Sequence, residues 1–116
     1  MNGYEKYYTK WWNRKRALVF VVTRWNKKVL AKIRRFHGIQ TIAWVKVNDG
    51  VQLEFQIEIQ EGEAKLVLIH REEWILMGES SCQGITPPLQ AGFYRIRVVG
   101  NRASLNCTIQ KNAQHI

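Results

Sequence analysis

Between Val51 and Gln60 apolar and polar side chains alternate without a break. Val51, Leu53, Phe55, Ile57 and Ile59 fall on one face of an extended chain, and Gln52, Glu54, Gln56, Glu58 and Gln60 on the other. Successive side chains of a strand point to opposite sides, so this stretch predicts a half-buried antiparallel strand.

The period stays near two from Gly38 onward. Strands are expected over about 39–47, 51–60, 63–70, 73–78, 92–99 and 102–110. Asn48-Asp49-Gly50 and Glu61-Gly62 suit short hairpins, and Gly100-Asn101 places glycine first, as a type II′ turn requires. Between Glu79 and Gly92, Ser80, Ser81, Gly84, Pro87 and Pro88 mark an edge or a connection, since proline gives a ladder no donor. Several short strands at close spacing predict a β-sandwich or a small barrel.

Upstream the pattern changes. Leu18, Val22, Trp25, Val29, Ile33 and Phe36 recur at steps of 4, 3, 4, 4 and 3. That is the apolar stripe of an amphipathic helix, with Arg24, Lys27, Lys28, Lys32, Arg34 and Arg35 beside or opposite it. Gly38 suits a helix stop, and the cations before it suit the negative end of the helix dipole. A helix over Trp11–His37 is expected, about 40 Å long at ~1.5 Å per residue. A strand through Val19–Thr23, a run of strand-prone residues, is the competing reading. The 116 residues suffice for one folded unit. The expected fold class is α+β, mainly β: an N-terminal amphipathic helix followed by a six-stranded antiparallel β-sandwich or small barrel. Residues 1–38 form a basic, aromatic-rich arm and residues 39–116 the sandwich.

The charge is divided along the same line. In residues 1–36, Lys6, Lys10, Arg14, Lys15, Arg16, Arg24, Lys27, Lys28, Lys32, Arg34 and Arg35 face one acid, Glu5. This part carries a formal +10 and the rest −1, within a total of +9.

Glu61-Gly62-Glu63-Ala64-Lys65-Leu66-Val67-Leu68 and Leu89-Gln90-Ala91-Gly92-Phe93-Tyr94-Arg95-Ile96-Arg97-Val98-Val99-Gly100 carry a resemblance. The pair resembles small bacterial β-sandwich domains in which an EGxxxLxL strand precedes an LxxGxYRIRVxG hairpin. The likeness spans roughly residues 51–110. It implies a fold and no activity. Such domains are often extracytoplasmic and lipid-anchored. This chain shows neither a lipobox cysteine nor a secretory signal, and the apolar run Ala17–Val22 is far shorter than the ~20 residues of a membrane span. The expected location is cytoplasmic, at the membrane periphery if the arm docks on lipid.

Catalytic patterns are absent from the sequence. Glu72-Glu73 sit side by side, which marks a solvated turn, because neighbours on a strand diverge. His37, His70 and His115 have no ligand spacing, and no metal or cofactor is expected. Cys107 alternates with Ala103, Leu105 and Ile109 and reads as a core residue. Cys82 lies in a Ser/Gly stretch as an exposed thiol; a Cys82 nucleophile with His70 as base is the reactive alternative, and a Cys82–Cys107 bridge the oxidised one. Phosphate-loop, dinucleotide and nucleophile-elbow motifs are missing. A non-enzymatic binding or adaptor protein is expected.

The excess charge points to an anionic partner. Lys10, Arg14, Lys15, Arg16, Arg24, Lys27, Lys28, Lys32, Arg34 and Arg35 are the candidate contacts, with Tyr7, Tyr8, Trp11, Trp12 and Trp25 as aromatic ones. An amphipathic cationic arm suits an anionic membrane surface or an assembly partner. Nucleic acid is the alternative, with cations on phosphates and Tyr/Trp rings stacked on bases. The plainest option packs the apolar stripe on the chain's own β-domain and leaves the cations as a solvated face.

Overall fold

Three long strands carry the architecture, and each is bent near its middle. The computed structural model describes Thr9 and residues 14–17, 19–25 and 28–112. Within these the elements are β1 (Arg14–Arg16), β2 (Val19–Trp25), β3 (Lys28–Val47), β4 (Leu53–His70), β5 (Glu73–Gly78), β6 (Cys82–Ile85) and β7 (Gly92–Lys111). They form one antiparallel seven-stranded sheet in the order β1-β3-β7-β4-β5, with β2 also on β3 and β6 also on β4.

The bends divide this sheet into two leaves. β2 pairs with residues 28–34 of β3, and β6 with residues 54–57 of β4; the C-terminal half of β7 runs between them. This is leaf 1. β1 pairs with residues 37–39 of β3, and β5 with residues 66–70 of β4; the N-terminal half of β7 runs between them. This is leaf 2. The leaves close on each other across one apolar cluster that draws Val29, Ile33, Leu53 and Ile109 from leaf 1 and Ala43, Leu66, Ile96 and Val98 from leaf 2. The result is a sandwich made by folding one sheet over.

The fold line is built from bulges. Register slips occur in β3 between Ile33, Phe36 and Gly38, and in β4 between Ile59, Glu61 and Glu63. Arg35, Gly62 and Arg102, one on each long strand, have φ of 50°, 76° and 51°. An extra residue in one strand of a pair bends that strand and sharpens its twist. The strand therefore turns without being cut.

No helix is present among the described residues, so the expected helix over Trp11–His37 is replaced by β1, β2 and the first half of β3. Four residues of the apolar stripe that suggested it nonetheless face the core: Val29, Ile33 and Phe36 are buried there, and Val22 packs against them. A step of 4 fits a strand as well as a helix, because it is twice 2. Of the two odd steps, that from Ile33 to Phe36 is met by the bulge at Arg35, which reverses the parity of β3. Gly38, expected as a helix stop, lies inside β3 opposite Gly100. The strand through Val19–Thr23 is β2.

The six expected strands become four elements, β3, β4, β5 and β7, and β6 is added. Segments 51–60 and 63–70 join as β4, and segments 92–99 and 102–110 join as β7. Glu61-Gly62 and Gly100-Asn101 are therefore not hairpins; they lie on the fold line. Asn48-Asp49-Gly50 does turn the chain, with the Val51 amide donating to the Asn48 carbonyl at 3.1 Å, but it links β3 to β4, which β7 separates. The Pro87-Pro88 stretch is a connection tied to residues 50–53: Gly50 N–H donates to Leu89 O, and Leu89 N–H to Val51 O. Leu53 N–H donates to the Thr86 hydroxyl at 3.0 Å.

Part of the outward face of leaf 2 is buried too. Ile39, Val67, Ile69 and Val99 form a second apolar cluster there. Arg97 lies among them at 0% exposure, and its guanidinium is pushed down to about 10, by burial first and by the Arg95 charge second.

Candidate cationic mouth

At the end opposite the fold line the leaves part, and strand register decides which side chains meet there. Lys28 and Val29 open β3 in leaf 1, and Trp44, Val45 and Lys46 close it in leaf 2. Arg24 near the end of β2, Leu53 at the start of β4, and Ile109, Gln110 and Lys111 at the end of β7 complete the lining. They enclose a mouth of about 540 Å³. Its floor is the apolar core edge, Val29, Val45, Leu53 and Ile109. Its rim is Arg24, Lys28, Lys46 and Lys111, all exposed, with no acidic residue in the lining. Among the described residues none of the four makes an ion pair. Gln110 donates its amide to Glu54 Oε2 at 2.9 Å, and Lys28, Gln110 and Glu54 form one cross-strand row on the outer face of leaf 1.

One rim cation also fixes the mouth's width. The Arg24 guanidinium donates from Nη2 to the backbone carbonyl of Trp44, from a strand of leaf 1 to a strand of leaf 2.

Beside the mouth, on the outer face of leaf 2, β3 and β7 present a checkerboard. Trp44 pairs with Arg95, and Lys46 with Phe93. The Arg95 guanidinium carbon lies 5.6 Å from the Trp44 ring centroid, and Lys46 Nζ lies 5.7 Å from that of Phe93. Both are cation–π distances. The two rings remain 58% and 62% exposed, whereas Arg95 is 7% exposed. Arg95 donates from Nη2 to the Thr9 carbonyl at 2.7 Å, and burial lowers its pKa from the usual value. Arg95 thus acts beneath the surface as a support for Trp44.

The candidate contacts of the sequence are dispersed over the sheet. Arg24 and Lys28 reach the mouth. Arg14, Lys15 and Arg16 are β1, on the edge of leaf 2, and Trp25 ends β2. Lys32 is exposed on leaf 1, while Arg34 is satisfied there: its Nη1 donates to the carbonyls of Ile33 and Leu105, at 2.8 and 3.2 Å, and to Asn106 Oδ1 at 3.1 Å. Arg35 sits on the fold line beside His37, Glu61 and Arg102. There its backbone N–H donates to Ser104 Oγ at 3.1 Å, and the Ser104 hydroxyl donates to Glu61 Oε1 at 3.1 Å. Lys10, Lys27, Tyr7, Tyr8, Trp11 and Trp12 lie outside the described residues.

Lys46, Lys111, Trp44 and Phe93 were missed, because the excess charge upstream drew attention from single cations at strand ends. A signal was available: Trp44 and Phe93 alternate with Lys46 and Arg95 at steps of two, and a large aromatic between inward-facing residues must point outward.

The cysteines are both free thiols, so the bridge between them is not made. Cys82 pairs with Ile57 in leaf 1, whereas the His70 ring stacks on Tyr94 in leaf 2, with centroids 4.4 Å apart. Among the described residues no three His, Cys, Asp or Glu side chains gather as a metal site would need.

No family model matches the chain, and neither does any curated protein. Solved structures resemble it distantly. A de novo designed double-stranded β-helix is 16% identical, with a TM-score of 0.45 over 75% of this chain and 100% of its own. A mutant of a family 29 carbohydrate-binding module is 13% identical, with a TM-score of 0.47 over 85% and 74%. A cupin domain from Bordetella pertussis is 12% identical, with a TM-score of 0.42 over 82% and 93%. The chain is similar to these β-sandwich and cupin-like domains in layout alone.

Proposed function

We propose that this protein is a non-catalytic binding domain whose mouth takes an anionic ligand. One observation carries the reading: four exposed cations and no acid surround a cavity of about 540 Å³ with an apolar floor. That volume lies in the range of ligand pockets. Like charges gathered around a low-dielectric floor raise the local concentration of an anion and repel each other until one binds. The lining holds no hydroxyl, thiol, imidazole or carboxyl group, and its three lysine amines are exposed rather than desolvated as a nucleophilic amine would be, which supports binding without chemistry. The mouth is concave, and concavity favours a ligand that enters it over a flat bilayer. An anionic surface remains the general class of partner that the net charge suits.

Titration calorimetry with polyphosphate tests this. The native protein is expected to bind at low salt and to weaken as salt rises. Lys28→Glu combined with Lys111→Glu, both at exposed positions, is expected to abolish binding while leaving the thermal midpoint nearly unchanged. Absence of binding by the native protein at low salt would defeat the proposal.

A further inference from the structure

We propose that the ligand of the mouth is single-stranded nucleic acid, its bases stacked on Trp44 and Phe93 and its backbone drawn past Lys46 to Lys28 and Lys111; this rests on the anion-binding reading above. The mouth alone asks only for negative charge. The checkerboard beside it asks for more. Trp44 and Phe93 occupy diagonal positions of an antiparallel pair, which lie roughly 7–8 Å apart and point from the same face. Two aromatic residues more than half exposed are an unfavourable surface to leave in water, and their π-faces are what an unpaired base requires.

The setting of each ring is suited to that task. Trp44 is held from below by Arg95, itself anchored on the Thr9 carbonyl, and from the chain side by the hydrogen bond from Arg24 to its own carbonyl. The indole is therefore pre-positioned before a ligand arrives, which lowers the ordering cost of binding. Lys46 stands between the two rings in register and also lines the mouth. A chain whose bases lie on the rings has its phosphates led by Lys46 into the remaining cations. Competing ligands satisfy only half of this. A neutral saccharide uses the rings and leaves four cations unused. A base-free polyanion uses the cations and leaves the rings bare. A duplex keeps its bases stacked within itself, out of reach of both rings.

The experiment compares fluorescence anisotropy of a labelled oligothymidylate of roughly 15 nucleotides with calorimetry of polyphosphate, on the full chain. Trp44→Ala and Phe93→Ala are exposed substitutions, and their folding is checked by circular dichroism and thermal melting. Each is expected to weaken the oligonucleotide by roughly five- to 150-fold, and Trp44→Phe by less. Phe93→Ala, which lies outside the lining of the mouth, is not expected to change polyphosphate binding by more than about twofold, since stacking needs bases. With three to four phosphates engaged, oligonucleotide affinity is expected to fall about 20- to 50-fold between about 50 and 200 mM salt. If both probes bind and the alanine variants leave oligonucleotide affinity unchanged, the nucleic-acid assignment is overturned and the anion site stands. If polyphosphate binds and the oligonucleotide does not, the same conclusion follows. If neither binds, both proposals fall.

Discussion

The ring of Phe36 occupies the space that a side chain at Gly100 would need: a Cβ there would lie 2.5 Å from Phe36 Cδ1. The two residues belong to neighbouring strands, β3 and β7, at the point where the sheet folds over. Phe36 is wholly buried, so its ring has no room to withdraw. Gly100→Ala is expected to destabilise the protein by about 1–3 kcal/mol, the range for overpacking a filled core. Urea denaturation measures it. In the Phe36→Leu background the same substitution should cost less, since the contact has been removed; equal costs in both backgrounds would show that the strain lies elsewhere.

A second contrast tests the fold line itself. Gly62, at φ 76°, would place a Cβ 2.1 Å from the backbone carbonyl oxygen of Arg102, and that oxygen cannot swing aside as a side chain does. Gly62→Ala is expected to be the more damaging of the two glycine substitutions and to abolish the two-state transition or lower its midpoint steeply. Arg102 on the adjoining strand sits at φ 51° with its side chain exposed. Relief of about 1–2 kcal/mol of left-handed strain offsets the entropy glycine adds to the unfolded chain, about 0.5–1 kcal/mol. Arg102→Gly is therefore expected to be neutral or mildly stabilising. A clear loss of stability in Arg102→Gly would mean that the arginine side chain holds the bend.

These contrasts also explain what could be read in advance. The alternation of residues 51–60 and the turn at residues 48–50 were legible because each depends only on neighbours along the chain. The fate of Gly62 and Gly100 was not. A glycine at a hairpin and a glycine at a bulge have the same local chemistry, and only the partner strand decides whether the chain reverses or bends. The same ambiguity turned Ile33 and Phe36 into an apparent helix, since a bulge and a helical turn both produce an odd step. β6 was missed because Cys82-Gln83-Gly84-Ile85 is too short and too polar to alternate; it forms by pairing with residues 54–57. The mouth was half visible. Arg24 and Lys28 stood out within the basic third, while Lys46 and Lys111 reach the same cavity only because the folded sheet brings the two ends of the β3–β7 ladder together.

The two thiols should differ sharply in reactivity. Cys107 is buried between Leu105 and Ile109, whereas Cys82 is half-buried on the edge strand β6. Only the thiolate reacts, and access is needed as well. A maleimide reagent in excess is expected to label one site per native chain, assigned to Cys82 by peptide mass mapping, and two after denaturation. Labelling of Cys107 under native conditions at a comparable rate would contradict its place in the core.

Cys107 also sets an alkaline limit. Burial pushes its thiol up to about 12 from an ordinary value of 9.0. Between those two pH values the unfolded chain has lost this proton and the folded chain retains it. The unfolded state then binds fewer protons, so stability falls as pH rises, by about 1.4 kcal/mol per pH unit once the window is fully entered. Tyr94, whose phenol is also raised by burial, adds to the fall above its ordinary value of 10.0. Well below pH 9 neither group contributes to the slope. Replacing Cys107 with alanine removes a buried sulfur and is expected to lower stability at neutral pH by about 1 kcal/mol. It should also flatten the decline between pH 9 and 10, where Tyr94 only begins to enter. Urea midpoints of both proteins from pH 7 to pH 10 decide the matter. Curves that converge as pH rises support the buried thiol as the source of the alkaline slope, and parallel curves would assign it to other groups.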